Sequence, residues 1–145
     1  MNMPVDFKNL ITIKQMLDEG LAFSEGTLKR WIFNRNQNGL AFAVLEDSGA
    51  LLLDVTKFNV WLSLGKMMTS DFRNFRTKEQ IVEYSDLKMS KVEHWLRNRF
   101  SNGLNEAVVN KSARRLYIDV EKFNLWLVER NANPAFGVIE LINTL

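Results

Sequence analysis

Cysteine is absent from the 145 residues, and histidine occurs once, as His94. The first absence excludes disulfides, thiolate metal sites and cysteine nucleophiles, and it fits a cytosolic chain. The second excludes a multi-histidine metal site. No HExxH pair, glycine-rich phosphate loop or GxSxG elbow occurs, so no catalytic or cofactor-binding constellation is recognised and no enzyme is expected. No run approaches the ~20 apolar residues that a membrane span requires. The first residues lack a basic segment followed by an apolar run, so no signal peptide is expected. Charge of one sign is scarce as well. The formal net charge of +2 is too small to mark a nucleic-acid binder by itself. What remains is 46% hydrophobic with 11% aromatics, enough for packed cores. The length suits one ordinary domain or two very small ones.

What is present is a repeat. The phrase DVTKFNVWL at 54–62 returns as DVEKFNLWL at 119–127, with seven of nine residues identical. Anchoring Trp31 on Trp95, an offset of 64 pairs Asn34-Arg35 with Asn98-Arg99 and Asn38-Gly39-Leu40 with Asn102-Gly103-Leu104. It also pairs Ala43-Val44 with Ala107-Val108. One added residue, assigned to the loop between Gly49 and Leu51, restores the register of the phrase. Upstream, Thr12 and Gln15 answer Thr77 and Gln80. The chain therefore contains two copies of one unit. The expected division is a first unit at 1–65, a packed connector at 66–75, a second unit at 76–131 and a tail at 132–145. Met67, Met68, Phe72 and Phe75 are expected to pack the connector. Phe136, Val138, Ile139, Leu141 and Ile142 give the tail helical spacing, and either the body of the chain or a second chain must cover them.

Within each copy, Thr12-x-x-Gln15 and Thr77-x-x-Gln80 form the pattern of a capping box that opens a helix. A second helix is expected to run to about Asn36 or Phe100, with Ser90-x-x-Glu93 as a further capping box. Its buried stripe is Val92, Trp95, Leu96 and Phe100, matched by Leu28, Trp31, Ile32 and Arg35. Asn38-Gly39 and Asn102-Gly103 suit a helix stop in the left-handed region. Two short strands follow, Phe42–Leu45 and Ala50–Leu53 around Asp47-Ser48-Gly49. Their counterparts are Ala107–Val109 and Leu116–Ile118 around Lys111–Arg114. Asp54 and Asp119 then cap a third helix. Phe58, Trp61 and Leu62, or Phe123, Trp126 and Leu127, face inward, and the Lys and Asn of the phrase face outward. The expected fold class is α+β, mainly α: two tandem winged helix-turn-helix units plus a short apolar C-terminal segment.

The pattern of a Ser/Thr-led helix, Leu-x-x-Trp-Ile/Leu, Asn-Gly-Leu, a hairpin and Asp-x-x-Lys-Phe-x-x-Trp-Leu resembles the excisionase-like, MerR-type winged helix proteins. These are encoded beside integrases in bacterial phages and integrative elements. The resemblance covers both halves, whereas the family usually carries one copy. It implies that the second helix enters a major groove and the hairpin reaches the neighbouring backbone or minor groove. It further implies double-stranded DNA as partner, no cofactor and a cytoplasmic, nucleoid-associated place of action.

Charge separates the two copies. Residues 11–65 carry five cations and six carboxylates, net −1, whereas residues 76–130 carry eleven and eight, net +3. The first hairpin reads Glu46-Asp47-Ser48-Gly49-Ala50, the second Asn110-Lys111-Ser112-Ala113-Arg114-Arg115. A cationic hairpin gains counterion-release free energy beside phosphates, and an acidic one is repelled. The candidate DNA contacts of the second copy are therefore Lys88, Lys91, His94, Arg97, Asn98, Lys111, Arg114 and Arg115. Lys and Arg suit guanine edges or phosphate, and Asn98 suits adenine. In the first copy the matching set is Thr27, Lys29, Arg30 and Asn34, with Phe33 as a contact to DNA or to protein. His94 is expected as a polar or phosphate contact and not a base. The leading expectation is a small transcriptional regulator or an excisionase-like architectural factor. The competing one is a protein-interaction module, pairing with itself or another protein through the first copy or the tail.

Overall fold

In a computed structural model of the chain, residues 7–112 and 115–130 are described. Arg114 and the tail at 132–145 lie outside them. The chain divides into two compact units, Met1–Arg73 and Asn74–Leu145. Each is mixed α+β, with one three-stranded antiparallel sheet among the described residues. No helix among the described residues is long and apolar enough to cross a membrane.

The first unit runs β1 (Leu10–Thr12), α1 (Ile13–Glu19), α2 (Glu25–Phe33), α3 (Arg35–Asn38), β2 (Val44–Asp47), β3 (Ala50–Asp54) and α4 (Val55–Leu62). The second repeats it as β4 (Phe75–Arg76), α5 (Lys78–Glu83), α6 (Met89–Arg97), α7 (Arg99–Asn102), β5 (Val108–Ser112), β6 (Arg115–Asp119) and α8 (Val120–Glu129). Thr12 and Thr77 close capping boxes with Gln15 and Gln80. Asp54 caps α4 by accepting from Lys57 N at 3.1 Å, and Asp119 caps α8 by accepting from Glu121 and Lys122. Each cap satisfies amide donors that the first helical turn leaves without intrahelical partners.

The second helix does not run through as one element. It breaks at Asn34 in one unit and at Asn98 in the other, where the side-chain amide donates to the carbonyl four residues back (3.1 and 2.9 Å). Arg35 and Arg99 staple the break, their Nη1 donating to Ile32 O at 2.9 Å and Leu96 O at 2.8 Å. The restart changes the helical phase, which is why Phe100 is not in the buried stripe but 75% exposed. Leu104, after the left-handed Gly103 (φ 85°), enters the core in its place.

Asn38 and Asn102 then tie three elements together. Asn102 donates to Trp95 O (3.1 Å), accepts from Leu104 N (2.9 Å) and offers its own carbonyl to Trp126 Nε1 (2.8 Å). Asn38 does the same with Trp31 O, Leu40 N and Trp61 Nε1. The paired tryptophans meet edge to face at 5.3 Å in both units. Around them pack Met16, Leu28, Ile32 and Phe58 in the first unit, and Ile81, Val92, Leu96 and Phe123 in the second.

Five further expectations are corrected. Ser90 does not cap α6: the helix starts at Met89 with Lys88 at the cap position and no side-chain cap bond. The Lys and Asn of the repeated phrase are not outside. Lys57 and Asn59 are buried, and Lys122 is half-buried with its ammonium 3.3 Å from the Glu106 carbonyl. Asn59 is covered because the connector folds back on α4, where Asn59 Oδ1 accepts from Phe72 N at 2.8 Å and Ser63 Oγ accepts from Ser70 N at 2.8 Å. Phe72 is buried accordingly; Phe75 is buried in the second unit, where β4 pairs with β6, whereas Met67 and Met68 are exposed. Finally, each sheet has a third strand, β1 or β4, added at the edge of the hairpin, and Phe42 and Ala107 lie in 3-10 turns ahead of their strands.

Candidate nucleic-acid interface

The outer face of α6 is built by what its inner face must bury. Val92 and Leu96 are buried and Trp95 half-buried, which turns Lys91, His94, Arg97 and Asn98 outward within about 120° of arc. All four are exposed. The Lys91 ammonium rests 5.5 Å from the Trp95 ring centroid. His94 and Asn98 touch, His94 Nδ1 lying 3.5 Å from the Asn98 amide, which is engaged with the His94 carbonyl. Lys88 stands exposed at the helix start. A cation there lacks the side-chain oxygen that Ser24 supplies at the matching position of α2, where Thr27 N donates to Ser24 Oγ at 3.2 Å. Losing such a cap typically costs about 1 kcal/mol, and the helix dipole opposes positive charge at that end.

The hairpin of the second unit differs from that of the first by one residue, and its place corrects the sequence alignment. In the first unit, Val44↔Leu53 through Asp47↔Ala50 pair without interruption, and Ser48 and Gly49 turn the chain with φ of 52° and 85°. Two consecutive positive φ values are those of a tight type I′ turn. In the second unit, Val109↔Tyr117 and Ser112↔Arg115 pair with a register shift between them. The added residue is thus a bulge at Asn110–Lys111 and not part of the turn. A bulge sharpens the twist of a hairpin and re-aims its side chains. Lys111 is half-buried and Arg115 exposed; Arg114 lies outside the described residues.

The structure brings Arg97 of α6 and Arg115 of β6 to one cleft of about 370 Å³, together with Lys78 and Arg99. Neither Lys78 nor Arg99 belongs to a recognisable binding motif, although the repeat marks Lys78, since the first copy has Ile13 there. Among the described residues Lys88, Lys91, Arg97 and Arg115 form no salt bridge.

The matching surface of the first unit is occupied locally. Lys29 pairs with Glu25 at 2.9 Å. Thr27 Oγ1 accepts from Ser24 Oγ at 2.8 Å. The Asn34 amide is held by Arg30 O. Arg35 reaches Glu46 of the hairpin at 3.5 Å. Arg30 is exposed, and at the position of Arg97 stands Phe33, 82% exposed. Compared with protein-family profiles, curated proteins and solved structures, the chain matches none.

Proposed function

We propose that this chain binds double-stranded DNA without catalysing a reaction, and that its second unit is the reader. In this reading each unit is a winged helix-turn-helix: α5 and α6 form the helix pair, α6 enters the major groove, and the β5–β6 hairpin is the wing beside the backbone. The observation that carries it is the row of cations at the cap of α6 and along it, Lys88, Lys91 and Arg97, which form no salt bridge among the described residues, next to the cationic hairpin. Lys88 adds weight, because a cation placed where a helix wants a cap breaks a local stability rule, and such breaks gather where function requires them. The biological role that fits is a small transcriptional regulator or an excisionase-like architectural factor of a mobile element.

The test is a salt titration of binding to duplex DNA by fluorescence anisotropy. With four to six phosphates neutralised, log K should fall linearly with log salt with a slope of about −3.6 to −5.4. No binding at low salt sinks the proposal. A second reading, protein interaction through the first unit, is favoured by Phe33, an aromatic side chain that the fold leaves almost wholly in solvent.

A further inference from the structure

We propose that the cleft between the start of α5, the end of α6 and β6 is a seat for one phosphate group. Its walls bring Lys78, Arg97, Arg99 and Arg115 together with two carboxylates, Glu79 and Glu93. Glu93 is already engaged, its Oε2 lying 3.2 Å from Lys78 Nζ.

Three observations point to an oxyanion. Arg99 is held rigidly: Nη1 donates to Leu96 O at 2.8 Å, and the guanidinium lies 4.6 Å from the Phe100 ring centroid. Its Nε is nevertheless buried with no hydrogen-bond partner. A buried charged donor without an acceptor is costly, and a tetrahedral anion supplies acceptors in the geometry a guanidinium prefers. Next, three of the four cations belong to this copy alone: Lys78, Arg97 and Arg115 stand where the first copy has Ile13, Phe33 and Ala50. Finally, the one cation common to both copies is neutralised in the first, where Arg35 meets Glu46. The second copy has the bulge pair Asn110-Lys111, with no carboxylate, in place of that glutamate, which leaves Arg99 available to a ligand.

The phosphate comes either from a duplex backbone or from a free phosphorylated molecule. The duplex source rests on the DNA reading above; the free source does not. Two arms on the full chain separate them. In the first, inorganic phosphate is titrated against sodium chloride at matched ionic strength while backbone amide shifts are followed. Changes confined to residues 78–79, 97–99 and 115–116 establish a phosphate seat whether or not DNA binds. No change at tens of millimolar removes the free source.

In the second arm, duplex binding is compared for Lys78→Gln, Arg99→Gln and Glu93→Gln. Each lost cation should flatten the salt slope by about 0.9. Glu93→Gln frees Lys78 and should tighten binding by up to about eightfold at ~0.1 M salt, the counterion-release value of one charge. A gain cannot arise from misfolding, so this variant keeps the test sound if Arg99→Gln disturbs the Leu96 carbonyl. Unchanged slopes in all three variants, with the parent still binding, overturn the duplex source and leave the DNA reading standing. The absence of both the amide shifts and the altered slopes overturns the seat altogether.

Discussion

Replacing Arg97, Lys111 and Arg115 together by glutamine is expected to weaken duplex binding by several hundredfold at about 0.1 M salt. The argument is electrostatic. Each cation placed on a phosphate releases about 0.9 counterion, which at ~0.1 M salt is worth a factor of about eight, so three contacts multiply to roughly 500. Arg97 and Arg115 are exposed and Lys111 half-buried, and none belongs to the hydrophobic core, so far-UV circular dichroism should be unchanged. The comparison set is Lys29, Arg30 and Lys14 of the first unit. Lys29 is already paired with Glu25, and the neighbouring hairpin is acidic, so the same replacement there should cost less than about tenfold. Equal losses from the two triple variants would refute the division of labour between the copies.

Trp126→Ala is expected to cost the second unit about 4 kcal/mol, the usual range for removing a large buried aromatic. Trp126 is 7% exposed, stacks on Phe123 at 6.0 Å and meets Trp95 edge to face at 5.3 Å. Its indole N–H, 2.8 Å from the Asn102 carbonyl, closes the node that joins α8 to the turn after α7. A unit of this size has little stability to spare, with typical reserves of only about 0.1 kcal/mol per residue. The substitution should therefore abolish protection of amides in α6 and α8 against hydrogen exchange, and duplex binding with it. Trp126→Phe keeps a ring and loses the donor, so it should recover most of the loss and retain a deficit of about 1–2 kcal/mol from the orphaned carbonyl and reduced packing. A cost below about 1 kcal/mol for the alanine variant would mean that the node does not hold the unit together.

Much of this architecture was legible from residue order, because capping boxes, Asn-Gly stops and aromatic spacing act over a few residues. Thr12, Thr77, Asp54, Asp119, Gly39 and Gly103 sit in the local roles their chemistry dictates. The misreadings share a cause, which is tertiary context. Asn59 reads as an outward polar residue until the connector closes over it. Phe100 reads as core until the Asn98 break resets the helical phase. The strands Leu10–Thr12 and Phe75–Arg76 are too short to show a period of two, and exist by pairing with β3 and β6. The bulge at Asn110–Lys111 is not legible, because a one-residue offset looks the same in a turn and in a strand. At the candidate site, the charge on α6 and the hairpin is legible in the sequence. The grouping of Lys78 and Arg99 with Arg97 and Arg115 is not, since only the fold brings them together.

The most direct test of the central claim is to map amide chemical shifts of the full chain as a duplex is added at low salt. The account predicts that perturbations concentrate on residues 88–98 and 108–116, while 25–38 and the hairpin at 44–54 stay near their free positions. Perturbations of equal size in both copies, or none in either, would contradict it.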